Sequence, residues 1–129
     1  MLTLEDCIIS QLREDGRLLI GCASTNPRRI LEIGHDLNPG DLLDEDVKRI
    51  WVELVSRRAE IDASDDNGIQ VLCEFAIKHK ILDKVFCWMG HSIIDGITYW
   101  DLAKQLVQDI GDLKTTLQKV NDLAAVDYG

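Results

Sequence analysis

The chain has 129 residues and a mass of 14.6 kDa, enough for one modest core. Its 46% hydrophobic and 29% charged residues are ordinary for a globular domain and exclude a disordered, collagen-like or low-complexity scaffold. Twenty-three acids against fourteen bases leave a formal net charge of -9. That charge opposes non-specific binding to nucleic acid or an anionic membrane, so a protein or small-molecule partner is expected.

The longest apolar runs, such as Leu18 to Ile20, fall far short of the roughly 20 residues of a membrane span, and Glu5 and Asp6 stand where a secretion signal would be basic. A soluble, cytoplasmic protein is the expectation. Cys7, Cys22, Cys73 and Cys87 lie in apolar surroundings and read as reduced core thiols. A metal site built on Cys87 and His91 with Cys73 and His79 is disfavoured, because no Cys-x-x-Cys pair is present and Gly90 interrupts the candidates.

In chain order, Thr3 and Asp6 form a capping-box pattern and Leu4, Ile8 and Leu12 recur at helical spacing until Asp15-Gly16, which reads as the end of a first helix. Arg17 to Ala23 is a short apolar helix, since no second strand is available to pair with it. Asn26-Pro27 caps a third helix that stops at Gly34. After the turn cluster Asn38-Pro39-Gly40-Asp41, the residues Val47, Ile50, Trp51, Leu54 and Val55 mark the apolar face of an amphipathic helix. Asp62 to Gly68 is a polar surface loop. A calcium loop starting at Asp62 would need glutamate at its twelfth position, where Cys73 stands.

Ile69 to Lys80 resumes helical spacing, and a short apolar helix with Phe86, Trp88 and Met89 precedes a connection from Gly90 to Gly96. Thr98 and Asp101 form a second capping box. Beyond it Leu106, Ile110, Leu113, Leu117, Val120 and Ala124 follow 4-3-4-3-4 spacing, the seam of a helix of about 25 residues, or roughly 38 Å. The expected fold is all-α: a helical head over 1–97 and a long C-terminal helix over 98–129, forming one structural unit. Ile50, Trp51, Leu54, Leu72, Phe75, Leu82 and Val85 are expected in the head's core.

Three stretches in this order resemble the N-terminal domain of DnaB-type replicative helicases. Leu4 to Leu12 resembles that family's opening helix. Leu37-Asn38-Pro39-Gly40-Asp41-Leu42-Leu43, continuing through Lys48-Arg49-Ile50-Trp51 to Ile61-Asp62, is similar to its "L-x-P-x-D-F-Y, H-R-x-I-F, P-I-D" segment, and Leu82-Asp83-Lys84-Val85 to its "L-D-x-V" turn. Gly96-Ile97, Val107-Gln108-Asp109 and Leu113-Lys114 are similar to the signature opening the family's helical hairpin. The departures are Leu42-Leu43 for the aromatic pair, Val47 for the histidine, Glu60 for the proline and Phe86-Cys87 for the tandem glycines. No G-x-x-x-x-G-K-[ST] loop occurs, so the helicase motor is absent from this chain.

The resemblance implies a non-catalytic interaction module with a replicative helicase or primase as partner, and no cofactor. In that family the C-terminal helix is the first arm of a hairpin, whereas this sequence ends at Gly129 before a second arm. The stripe Leu106, Ile110, Leu113, Leu117 and Val120 must therefore fold back on the head, pair with a second copy or dock on another protein, and a homodimer is expected.

Three other readings compete. His35, His79, His91 and the serines lie in no nucleophile elbow or metal-hydrolase helix, so catalysis is not expected. Arg28-Arg29, Lys48-Arg49, Arg57-Arg58 and Lys78-His79-Lys80 with Lys84 read as solvated helix faces rather than a nucleic-acid surface. The alternative to the replication module is a small acidic inhibitor or immunity protein against a nuclease or other toxin. Sixteen of the twenty-three acids are aspartate, the residue favoured in caps and turns, which points to folding roles instead of a phosphate mimic.

Overall fold

The computed structural model describes residues 3–91 and 99–127, with the backbone alone at 90, 91, 99 and 124–127. Among them are seven α-helices and one 3-10 turn, with no strand: α1 Leu4–Ala23, α2 Pro27–Ile33, the turn Pro39–Asp41, α3 Glu45–Ser56, α4 Arg58–Ala63, α5 Ile69–Lys78, α6 Leu82–His91 and α7 Tyr99–Asp127. The all-α expectation holds. No helix among the described residues is long and apolar enough to cross a membrane.

The first and second expected helices are one. The Thr3 hydroxyl accepts the Asp6 amide and the Asp6 carboxylate accepts the Thr3 amide, both at 3.1 Å, and α1 then runs unbroken through Asp15 and Gly16 for 20 residues. Gly16 is no cap. It lies where α3 crosses, so close that an added Cβ would sit 3.3 Å from Val47 Cγ1. The real stop comes at Ser24 and Thr25, whose hydroxyls donate to the carbonyls of Gly21 and Cys22 at 2.6 and 2.9 Å and satisfy groups that the last turn leaves open.

α1 is the central helix. Its most extensive packing is with α7 and next with α6, while α2 and α3 also lean on it. Accordingly Leu19, Ile20, Cys22 and Ala23 are fully buried at its C-terminal end, whereas Cys7, Ser10, Arg13 and Glu14 face solvent earlier. Only Cys22 of the four cysteines is a core thiol; Cys73 is half-buried, and Cys7 and Cys87 are exposed.

α2 starts as expected, with the Asn26 side chain accepting the Arg29 amide at 3.1 Å and Pro27 in the first turn. Asp44 caps α3 by accepting the Asp46 and Val47 amides and also binds Arg17 Nε at 2.8 Å, tying the cap to α1. Of the residues expected in the core, Ile50, Trp51, Leu54, Leu72 and Val85 are buried, while Phe75 and Leu82 are half-buried against the cluster. Val55, read as part of the apolar face, is 49% exposed because α3 turns only a narrow arc inward.

The expected loop Asp62–Gly68 is shorter than the sequence implies, since α4 takes in Asp62 and Ala63. The chain then reverses through Asn67 and Gly68, both at positive φ, into α5. Gly68 has no room for a side chain, as a Cβ there would lie 2.7 Å from Ile61 Cγ2. α5 ends with Lys80 in the left-handed region and the Ile81 amide reaching back to the Ala76 carbonyl at 2.9 Å. The short apolar helix includes Leu82 to Val85 at its start. The Gly90–Gly96 connection, Thr98 of the second capping box and the 97/98 boundary lie wholly or largely outside the described residues.

Trp51 is 1% exposed, so Trp51→Ala should cost about 3 to 5 kcal/mol in chemical unfolding. Gly68→Ala combines φ +90 with the Ile61 clash and should cost about 1 to 3 kcal/mol. Lys80→Gly, which removes the left-handed penalty at φ 58, should instead stabilise by about 0.5 to 1 kcal/mol in the same assay.

Candidate interaction surface

α7 has 29 residues, about 43 Å, against about 30 Å for the 20 residues of α1. The two run antiparallel: Asp15 stands near Asp109, and Gln11, one turn earlier, shares a cleft with Asp112 and Leu113. This register puts Leu4 opposite Val120, and α7 continues past the end of α1. The turn Pro39–Asp41 also braces α7, through an ion pair of Asp41 with Lys114 at 2.5 Å.

Within the stripe read from the sequence, Leu106 (4% exposed) and Ile110 (0%) belong to the head's own core. Neither is available to a partner unless α7 leaves α1. Leu113, Leu117 and Val120 are half-buried against the same cluster and keep one side open. Leu123, one turn beyond Val120, is 67% exposed, and Leu4 at the start of α1 is 63% exposed. The open apolar surface is thus Leu113, Leu117, Val120, Leu123 and Leu4. The 4-3 spacing leads from Val120 to Ala124, so Leu123 was not read from it, and Leu4 emerges only from the antiparallel pairing.

Asp15 is the charged residue buried in this joint, at 4% exposure, on the face that also carries Ile8, Leu12 and Leu19. Its carboxylate accepts a hydrogen bond from Gln11 Nε2 at 2.8 Å. Burial pushes its carboxyl above the ordinary value, the Gln11 hydrogen bond offsets part of this, and the charges of Asp109 and Glu14 push further upward. Asp44 shifts the other way: burial opposes ionisation there, but the Val47 and Asp46 amides and Arg17 outweigh it and hold the carboxyl below its usual range.

The basic pairs are mostly engaged. Arg57 lies within 4 Å of Glu53, Glu60 and Glu74. Arg28 reaches Glu32 and Asp62, Arg29 covers the Trp100 ring at 4.7 Å, and Lys84 binds Asp46 at 2.7 Å across α6 and α3. His79 packs on Phe75 with ring centroids 4.3 Å apart. Among the described residues no group of three or more His, Cys, Asp or Glu is placed to hold a metal ion, and the His91 side chain is outside them. Comparison with protein-family models, with curated proteins and with solved structures finds no match to this chain.

Asp15→Asn keeps the Gln11 contact and removes the buried charge, so it should raise stability at neutral pH by about 1 kcal/mol. The sign of the pH dependence follows from the raised carboxyl. The native state holds the Asp15 proton more tightly than the unfolded chain, so the wild type gains stability from this group as pH falls from neutral toward the unfolded value. The advantage of Asp15→Asn should therefore shrink over that interval, as read by thermal unfolding of both proteins. An advantage independent of pH would mean that it does not arise from the buried charge of Asp15.

Proposed function

We infer that the chain is a non-catalytic protein-interaction module of DNA replication, which engages a replicative helicase or primase. The observation that carries this reading is a head closed by α1 and α7 with an apolar edge, Leu113, Leu117, Val120 and Leu123, left partly open along the joint and toward the end of α7. The sequence stretches resembling the DnaB-type N-terminal domain support it, because their residues fall at joints of the head. Asp41 accepts the Asn38 amide and pairs with Lys114, Trp51 fills the core, and Lys84 binds Asp46 across α6 and α3. The inhibitor reading has weaker support, since Asp6, Asp44 and Asp66 are occupied as caps and turn acceptors rather than arrayed as a phosphate mimic.

The test is direct binding of the purified chain to the replicative helicase and primase of its host, with affinity capture from that host in parallel. Recovery of either protein is the expected result; consistent recovery of a nuclease or other non-replication partner overturns the reading. The same open edge supports self-association in the micromolar range, its apolar gain opposed by association costs of several kcal/mol. Leu117→Asp with Leu123→Asp should yield a folded monomer in sedimentation, because neither residue is in the closed core. Ile110→Asp should unfold the head instead, as Ile110 is 0% exposed. A wild-type chain that is monomeric at about 100 μM has no self-pairing of the strength expected from this area.

A further inference from the structure

Nothing in the structure shows what covers the cleft of about 400 Å³ at Trp51, walled by Leu37, Val52 and Val55 between α2 and α3. The joint of α1 with α7 carries its own chemistry. Asp15 is 4% exposed there, and the charges that act on its carboxylate, Asp109 of α7 and Glu14 of α1, are both negative. Asp112 borders the same cleft with Gln11 and Leu113. Each of the three aspartates accepts from a glutamine four residues earlier: Asp15 from Gln11 at 2.8 Å, Asp109 from Gln105 at 2.9 Å and Asp112 from Gln108 at 3.2 Å. These donors are neutral, and among the described residues no cation pairs with any of the three.

The elements packed around the joint turn their cations elsewhere. Arg17 of α1 binds Asp44 at the start of α3 and touches Glu14 at 3.9 Å, while Lys84 of α6 binds Asp46. On α2, Arg28 reaches Glu32 and Asp62, and Arg29 covers Trp100. Lys114 of α7 pairs with Asp41 of the 3-10 turn, and Arg13, Lys104 and Lys119 are exposed. Gly111 lies between Asp109 and Asp112, where an added Cβ would meet nothing within 4 Å. No close approach requires this glycine, and it weakens the helix interior relative to alanine. α7 also changes character at this point. Leu102, Ala103, Leu106 and Ile110 are buried before Gly111, whereas every described side chain after it is at least partly exposed.

We propose that the α1–α7 joint is a proton-controlled latch: with Asp15 protonated, α7 beyond Gly111 lies closed on α1, and ionisation of Asp15 beside Asp109, Glu14 and Asp112 loosens that segment about Gly111. The first half of α7 stays with the head through Leu102, Leu106 and Ile110, and the released segment uncovers the inner sides of Leu113, Leu117 and Val120. Burial first, and then the charges of Asp109 and Glu14, hold the Asp15 carboxyl above its ordinary value in the closed joint, whereas opening returns it to solvent. The closed form therefore binds the proton more tightly. Opening becomes easier as pH rises from the ordinary carboxylate value to the raised one, and is independent of pH above it. The Lys114 pair with Asp41 opposes release, so the open form is a minor population reached by local opening. That the latch sets how much apolar edge a partner meets rests on the interaction reading above; the latch itself does not.

The test is amide hydrogen exchange of the full chain with no partner present, read residue by residue by NMR as protection relative to the intrinsic rate at each pH. An undocked terminal segment is only marginally helical in water, so its amides report the opening. Protection of the amides from Leu113 to Val120 should fall by up to about tenfold per pH unit across the titration of Asp15, while α3 and α5 keep theirs. Asp15→Asn should remove this dependence, and Asp109→Asn should move it to lower pH. Gly111→Ala should raise protection of the same segment about fivefold at every pH and leave the dependence in place. Protection of the segment that does not change with pH overturns the proposal. So does a loss shared equally by all helices, which is global unfolding, or a dependence that survives Asp15→Asn. The interaction reading is decided separately by its own binding experiment.

Discussion

The antiparallel pair of α1 and α7 is the constraint on which the rest of the molecule depends. α1 supplies the surface to which α2, α3, α6 and α7 are applied, and it can do so only because it stays helical through Gly16. A glycine in a helix interior is disfavoured by about 1 kcal/mol relative to alanine. Here it permits the approach of Val47, and with it the burial of α3. The local disadvantage is small beside the apolar area that α3 brings in through Ile50, Trp51 and Leu54.

That trade explains where reading from the sequence succeeds and where it fails. Capping side chains act over three residues, so Thr3 with Asp6 and Asn26 before Pro27 were legible without any knowledge of the fold. Asp15-Gly16 has the local chemistry of a helix end and yet is helix interior, because what decides its state is α3 and α7 crossing from far along the chain. Loop length was overestimated at Asp62–Gly68 for a related reason: α4 is held by Ile61 in the core, which local polarity does not report.

The stripe on α7 shows the same division for the candidate site. Its spacing was sufficient to identify a helix that must pack lengthwise, but spacing has no information on what it packs against. The structure divides it. Leu106 and Ile110 close the head, and the edge formed by Leu113, Leu117 and Val120 stays open beside Leu123. The cleft at Trp51 was not legible at all. Val55 read as part of the apolar face of an amphipathic helix and Val52 was not singled out, and only the placement of Leu37 and Gly34 opposite them makes a concavity.

Electrostatics acts on the same joint. The α1–α7 joint carries Asp15, Asp109 and Asp112 with a single glutamine hydrogen bond to its buried member, so like charge works against the very packing that closes the head. Lys114, two residues beyond Asp112 on the same helix, pairs with Asp41 of the 3-10 turn, and the 10% exposure of the Asp41 side chain keeps the pair from full solvent screening. α7 is consequently held by apolar area over Leu102 to Ile110, by Arg29 over the Trp100 ring and by the Lys114 ion pair, while Leu117 and Val120 farther along are only partly covered. A partner engaging Leu117 and Leu123 would add cover where the helix has least, and would compete with little that the head needs.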